Sequence, residues 1–245
     1  MPAPEAVVEV DGELVGLPVR VRSAKMVAAS FFVDHAATQE LIDYSGLRAS
    51  EVRPGRAMCS ISGVQYLDND LGPYNEVAVA FAVEPHDGPA PLTSPFGGEV
   101  STFIHRLPVN QAFTCAAGRD IWGFPKWIAR IDYHDRGDRT EVLLTDEGQL
   151  ALGLEVRRGP VPLPPREMAM RAYAWRDGVL RMTPWTTRNE LVRARPGGVT
   201  LALGADHPLG IELAALGLPA RALFSLVTAK MQASFGPPEV VTPTH

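Results

Sequence analysis

The chain has 245 residues, of which 46% are apolar and 21% charged, with a formal net charge of −5. That length and balance suffice for a sizeable buried core, read here as one domain over residues 1–245, and the mild acidity argues against nucleic acid as a partner. No apolar run approaches membrane-spanning length and no basic start precedes an apolar stretch, so a soluble, cytoplasmic protein with no membrane partner is expected.

In chain order, the first dozen residues, rich in Pro and Ala, read as a loose lead-in. Apolar and polar residues then alternate to about residue 34, as in a strand. Residues 38–44 predict a short helix that buries Leu41 and Ile42 and ends at Gly46. Strands are expected at 58–67 and 74–83, then a Pro- and Gly-rich loop over 85–98. A strand at 100–107 leads to a helix over 110–117, stopped by Gly118. Further strands are predicted at 127–133, 140–145, 150–157, 168–175, 179–183, 199–203 and 222–235, with the Pro-rich run at 160–165 as a surface loop within the same sheet system. Many short strands and few short helices give a mostly antiparallel β fold, α+β in class.

The chain holds three lysines, Lys25, Lys126 and Lys230, against twenty arginines. Only lysine among the two can lose its proton and attack a carbonyl carbon, so each is a candidate for chemistry. Lys126 lies in Gly118-Arg-Asp-Ile-Trp-Gly-Phe-Pro-Lys126, where Pro125 restrains its own backbone and that of Phe124. Trp122, Phe124 and Trp127 surround it in sequence, and Ile128 shares its face if a strand begins at Trp127. Poor solvation among such groups favours the neutral, nucleophilic amine. The bland alternative is a strand-end lysine lying over aromatic rings. The cysteines, Cys59 and Cys115, are far apart and read as buried free thiols. The six histidines show no metal-ligand spacing, so no metal site is expected.

The Lys126 segment resembles the motif around the Schiff-base lysine of the acetoacetate decarboxylase family, and Gly72-Pro-Tyr-Asn-Glu76 resembles a second motif of that family, with its active-site glutamate. The interval between the two segments and the chain length are also similar. The resemblance implies a fold of curved antiparallel sheets, a closed β-barrel around a central pocket. It implies imine formation at Lys126 with Glu76 as the proton-transfer or orienting group, no cofactor, and a homo-oligomer. It further marks Arg119 and Lys25 as substrate-binding candidates, and Phe124 and Trp122, close to the lysine in sequence, are candidates to line the substrate pocket. Two positions depart from the family. Trp127 stands where the decarboxylases carry a second lysine, and the stretch Cys59-Ser-Ile-Ser-Gly63 has no carboxylate where they carry a second glutamate.

The leading expectation is therefore a cofactor-independent, imine-forming lyase that decarboxylates an acetoacetate-like β-keto acid. The alternatives are an aldolase-dehydratase acting on pyruvate-like keto acids, and a non-decarboxylating member that uses the pocket to bind a small carbonyl compound.

Overall fold

The structure, a computed structural model, describes residues 5–85 and 100–241. From residue 86 onward the loop expected over 85–98 lies outside the described residues.

The chain opens with a hairpin, β1 (Ala6–Val10) and β2 (Glu13–Leu17), joined at Asp11 and Gly12, whose φ angles are 48° and 81°. Positive φ at both central residues is the two-residue turn that matches strand twist, and Asp-Gly supplies it. There follow β3 (Val19–Asp34), α1 (His35–Ile42), β4 (Arg56–Asn69), β5 (Tyr74–Ala82), β6 (Val100–Arg106) and α2 (Ala112–Trp122). Next come β7 (Arg130–Asp135), β8 (Arg139–Asp146), β9 (Gln149–Arg157), β10 (Val161–Leu163), β11 (Arg166–Arg176) and β12 (Val179–Arg195). The chain closes with β13 (Val199–Leu203), α3 (Pro208–Ala215), β14 (Phe224–Phe235) and β15 (Glu239–Val241).

Seven strands close into a barrel in the order β3, β4, β5, β6, β11, β12, β14, and β14 pairs back onto β3. Each of these pairings is antiparallel except that of β6 with β11, which is parallel. Side chains alternate between the two faces of each strand. On β5, Tyr74, Glu76 and Ala78 therefore point inward, while Val77, Val79 and Phe81 pack outward. A register shift in β3 around Ser23 moves the inward set from Val19 and Val21 to Ala24 and Met26, as a bulge does.

The outward apolar face is covered by a second, four-stranded sheet, ordered β13, β9, β8, β7. Val142, Leu144, Leu152 and Leu154 of that sheet, each at most 1% exposed, meet Phe31, Ile61 and Phe81 of the barrel in one core. Full burial of each such side chain contributes about 1.5–3 kcal/mol. The β1–β2 hairpin and α2 share a separate cluster with the barrel interior, through Val10, Val15, Ile121 and Trp122.

The mostly β architecture is as expected, but several boundaries differ. Residues 6–12 form a strand and turn rather than a loose lead-in, because Val10 is buried. Within 160–165, Val161–Leu163 pairs with β12 as an exposed edge strand, where Pro162 is tolerated. β12 continues twelve residues past the expected end at 183, its polar stretch held by pairing with β11 and β14 on either side. Helix α3 was not expected, although Pro208 opens it and the His207 side chain accepts from Leu209 N–H, a combination that marks helix starts.

The helix before Lys126 differs most. It runs through Gly118 to Trp122 and stops at Gly123, whose φ of 70° is left-handed. The strand after it begins at Arg130 rather than Trp127, and Ile128 is 50% exposed, so it does not share the buried face of Lys126.

Candidate active site

Lys126 and Glu76 lie 50 positions apart and are brought together by one intervening strip of backbone. Residues 108–110 are stitched to β5 on one side, where Val77 N–H donates to Pro108 O and Asn110 N–H to Asn75 O. On the other side they hold the segment that follows α2, where Leu107 N–H donates to Pro125 O and Val109 N–H to Trp127 O. Two extended segments flanking a third place their inward side chains within reach of a lysine's length.

The result is a buried ion pair. Lys126, 5% exposed, donates from Nζ to Glu76 Oε2 at 2.8 Å, and Glu76 is 6% exposed. The second oxygen, Oε1, accepts from Tyr66 Oη at 3.0 Å. Tyr66 and Tyr74 pair across β4 and β5 and stack at 4.3 Å between ring centroids. The Tyr74 ring lies 5.2 Å from Lys126 Nζ, within cation–π range. Burial, and next the charge of Glu76, push both phenols well above their ordinary range. They stay protonated, so Tyr66 is a fixed donor that orients the carboxylate and cannot compete for its proton.

The pair faces a cavity of about 60 Å³. Its walls are mainly apolar and aromatic, including Val64, Ile104, Trp122, Phe124, Trp185 and Phe235, with Ser62, Asn69 and the phenols of Tyr66 and Tyr74 as neutral polar members. Among the described residues, Lys126 and Glu76 are the only charged side chains that line it. Their opposite charges leave the cavity neutral overall, and each stabilises a partner that would otherwise be costly to bury. No group of three or more metal-ligating side chains is found among the described residues.

Four of the expected residues thus meet at one place: Lys126, Glu76, Trp122 and Phe124. Phe124 stacks on Trp122 at 5.8 Å, and the Trp122 indole donates to Gly236 O, which fixes that wall. The other two lie elsewhere. Arg119 is exposed on α2, and its carbonyl accepts from Gly123 N–H at the helix end. Lys25 is half-buried on β3 and pairs with Asp135 of β7 at 3.4 Å, and neither cation lines the cavity. Ser62, from the stretch without a carboxylate, does line it.

Sequence reasoning quoted Tyr74 within the Gly72–Glu76 motif but gave it no role, and it did not single out Tyr66. Tyr74 sits two residues before Glu76 and so shares its face of a strand. Tyr66 emerges only from the β4–β5 register.

Trp127 turns away from the cavity. It packs against the core between the barrel and the four-stranded sheet, and its indole donates to Asp146 Oδ2 at 2.9 Å. A lysine at 127 would thus start from the opposite face of its segment. Trp127→Lys is expected to leave the rate of covalent trapping at Lys126 within about twofold, while lost packing lowers stability by about 1–3 kcal/mol. Trapping accelerated tenfold would contradict this placement.

The barrel and its covering sheet have the architecture of the acetoacetate decarboxylase-like fold, as solved structures show. Similar chains are an acetoacetate decarboxylase from Legionella pneumophila subsp. pneumophila str. Philadelphia 1 (16% identity, 99% of this chain and 92% of that chain, TM-score 0.65) and the enduracididine biosynthesis enzyme MppR complexed with pyruvate (15% identity, 95% and 93%, TM-score 0.68). An acetoacetate decarboxylase-like enzyme from Sphingomonas wittichii RW1 is similar over 94% of this chain and 95% of that chain, with 16% identity and a TM-score of 0.60. The family described as Acetoacetate decarboxylase (ADC) matches residues 8–241, and the chain belongs to it. A search among curated proteins found no match.

Proposed function

We propose that the protein is a cofactor-independent lyase that forms an imine between Lys126 and a small β-keto acid and releases CO₂. The observation that carries this reading is the Lys126–Glu76 pair, 2.8 Å apart and alone as charged groups in an apolar cavity.

Passing the ammonium proton to Glu76 frees the amine without creating net charge. The amine adds to the ketone carbon, the carbinolamine loses water with a proton returned from Glu76, and a protonated imine results. That cation draws the electron pair of the neighbouring carbon–carboxylate bond as CO₂ leaves, giving an enamine. Protonation of the enamine on carbon and hydrolysis then return the ketone and the free lysine. Overall, a β-keto carboxylate and one proton become a ketone and CO₂.

The cavity walls favour decarboxylation over reactions that retain the carboxylate. A condensation of a pyruvate-like acid keeps its carboxylate throughout, and buried carboxylates call for a cation or several donors. No cation beyond Lys126 lines this cavity among the described residues. A carboxylate against apolar walls is poorly solvated, and that cost disappears as neutral CO₂ forms. MppR has been captured with pyruvate and with the condensation product of pyruvate and imidazole 4-carboxaldehyde, so condensation is the alternative to test.

The cavity's size limits the substrate. At about 60 Å³ it offers little room, so the smallest β-keto acid of the series, acetoacetate, is the best-fitting one. Overfilling costs about 1–3 kcal/mol, so kcat/KM is expected to fall about tenfold or more when acetoacetate is lengthened by one methylene. CO₂ release should be measured for acetoacetate and its longer homologues, and condensation products sought with pyruvate and an aldehyde. CO₂ from acetoacetate with steep loss on lengthening supports the proposal. Condensation without CO₂ from any β-keto acid would overturn it.

A further inference from the structure

Gly118 is one residue of the lysine motif that the reaction scheme leaves without a role. It sits in the middle of α2, where glycine is a poor choice by propensity. Its φ is not left-handed, so no backbone conformation demands it. What demands it is space. A Cβ built on Gly118 would lie 2.4 Å from Lys126 Cδ, 2.5 Å from Cε and 3.2 Å from Nζ, and these are its three nearest contacts.

We infer that Gly118 is a positioning residue: its bare α-carbon forms the channel along which the Lys126 side chain lies, and this holds Nζ against Glu76. The inference rests on the imine-forming reading above. The same residue also fixes the segment that carries the lysine, since its carbonyl accepts from Phe124 N–H at 2.9 Å. The lysine chain thus touches α2 along Cδ and Cε, and its Nζ lies 5.2 Å from the centre of the Tyr74 ring.

Any side chain at 118 forces a choice. Backing Cδ off from 2.4 Å to the 3.4 Å of ordinary contact displaces it by about 1 Å. Cδ and Cε belong to a flexible side chain, so the lysine yields and the helix stays. A misplacement of about 1 Å at a reacting group can cost about 100-fold in rate. Gly118 therefore sacrifices helix propensity for the geometry of the nucleophile.

The test compares Gly118→Ala, Lys126→Ala and the double variant with the wild type. Gly118→Ala is expected to fold, with kcat reduced about 100-fold, borohydride trapping slowed to match, and KM changed little. Alanine in a helix interior ordinarily raises Tm. Here it should lower Tm or leave it unchanged when Lys126 is present, and raise it in the Lys126→Ala background, where the obstructing chain is gone. That reversal does not depend on activity. Wild-type trapping and kcat in Gly118→Ala, or the same Tm change in both backgrounds, would overturn the inference. If the wild type itself shows no trapping, the imine reading fails, and the reversal in Tm still decides whether Gly118 positions Lys126. If Gly118→Ala fails to fold while the double variant folds, the lysine is the obstruction and the inference stands.

Discussion

Lys126→Ala is expected to abolish both turnover and borohydride-trappable adduct. No other lysine can substitute, because Lys25 and Lys230 are on the surface, 35% and 49% exposed, in ion pairs with Asp135 and Glu190. The variant also loses stability. Removing one member of a buried pair leaves the other uncompensated, at a cost of about 3–5 kcal/mol, a large part of the 5–15 kcal/mol of a typical domain. Adding Glu76→Gln removes the stranded carboxylate, so the double variant should be more stable than the sum of the single changes allows. Urea unfolding of the four proteins measures this coupling. Strictly additive losses would mean that the pair at 2.8 Å is not an energetic unit.

Glu76→Gln is the second large effect. Glutamine keeps an acceptor for the Tyr66 hydroxyl, so the local hydrogen bond survives, but it cannot take or return a proton. Turnover is expected to fall about 10²- to 10⁴-fold, the usual worth of a positioned acid–base group. Adduct formation should fall with it, because the same carboxylate takes the ammonium proton and returns one as water leaves. Rapid-quench trapping alongside steady-state turnover measures both. Adduct formation at the wild-type rate with slow turnover would show that Glu76 does not serve imine formation.

The chemistry was more legible than the geometry that serves it. Lys126 and Glu76 could be named because each sits in a compact motif with unusual residues, whereas their contact depends on residues 108–110 lying between them, which no local pattern reveals. The glycines show the same divide. Gly118 looked like a helix stop, since glycine after a run of small and apolar residues commonly is one. Its role is set by a side chain eight positions later, and the real stop is Gly123, where φ is 70°. Trp127 looked like part of the lysine's apolar surroundings, but it packs against the core between the barrel and the four-stranded sheet.

The strands divide similarly. Those rich in apolar residues, such as β5 and β9, were placed well, because a short apolar run buried on both faces marks a strand by itself. The polar half of β12 was missed, since its stability comes from two neighbouring strands and not from its own side chains. Arg119 was a candidate as a member of the lysine motif, and Lys25 because it lies roughly where the family carries an N-terminal arginine. Lys25 lies beyond the register shift in β3, and Arg119 lies on the exposed side of α2, so both sit outside the cavity wall.

The most direct test of the imine at Lys126 is borohydride reduction in the presence of acetoacetate, followed by intact-mass and peptide mass spectrometry. The account predicts one adduct, on the peptide containing Lys126, with the mass expected after loss of CO₂. No adduct, or one confined to Lys25 or Lys230, would contradict it.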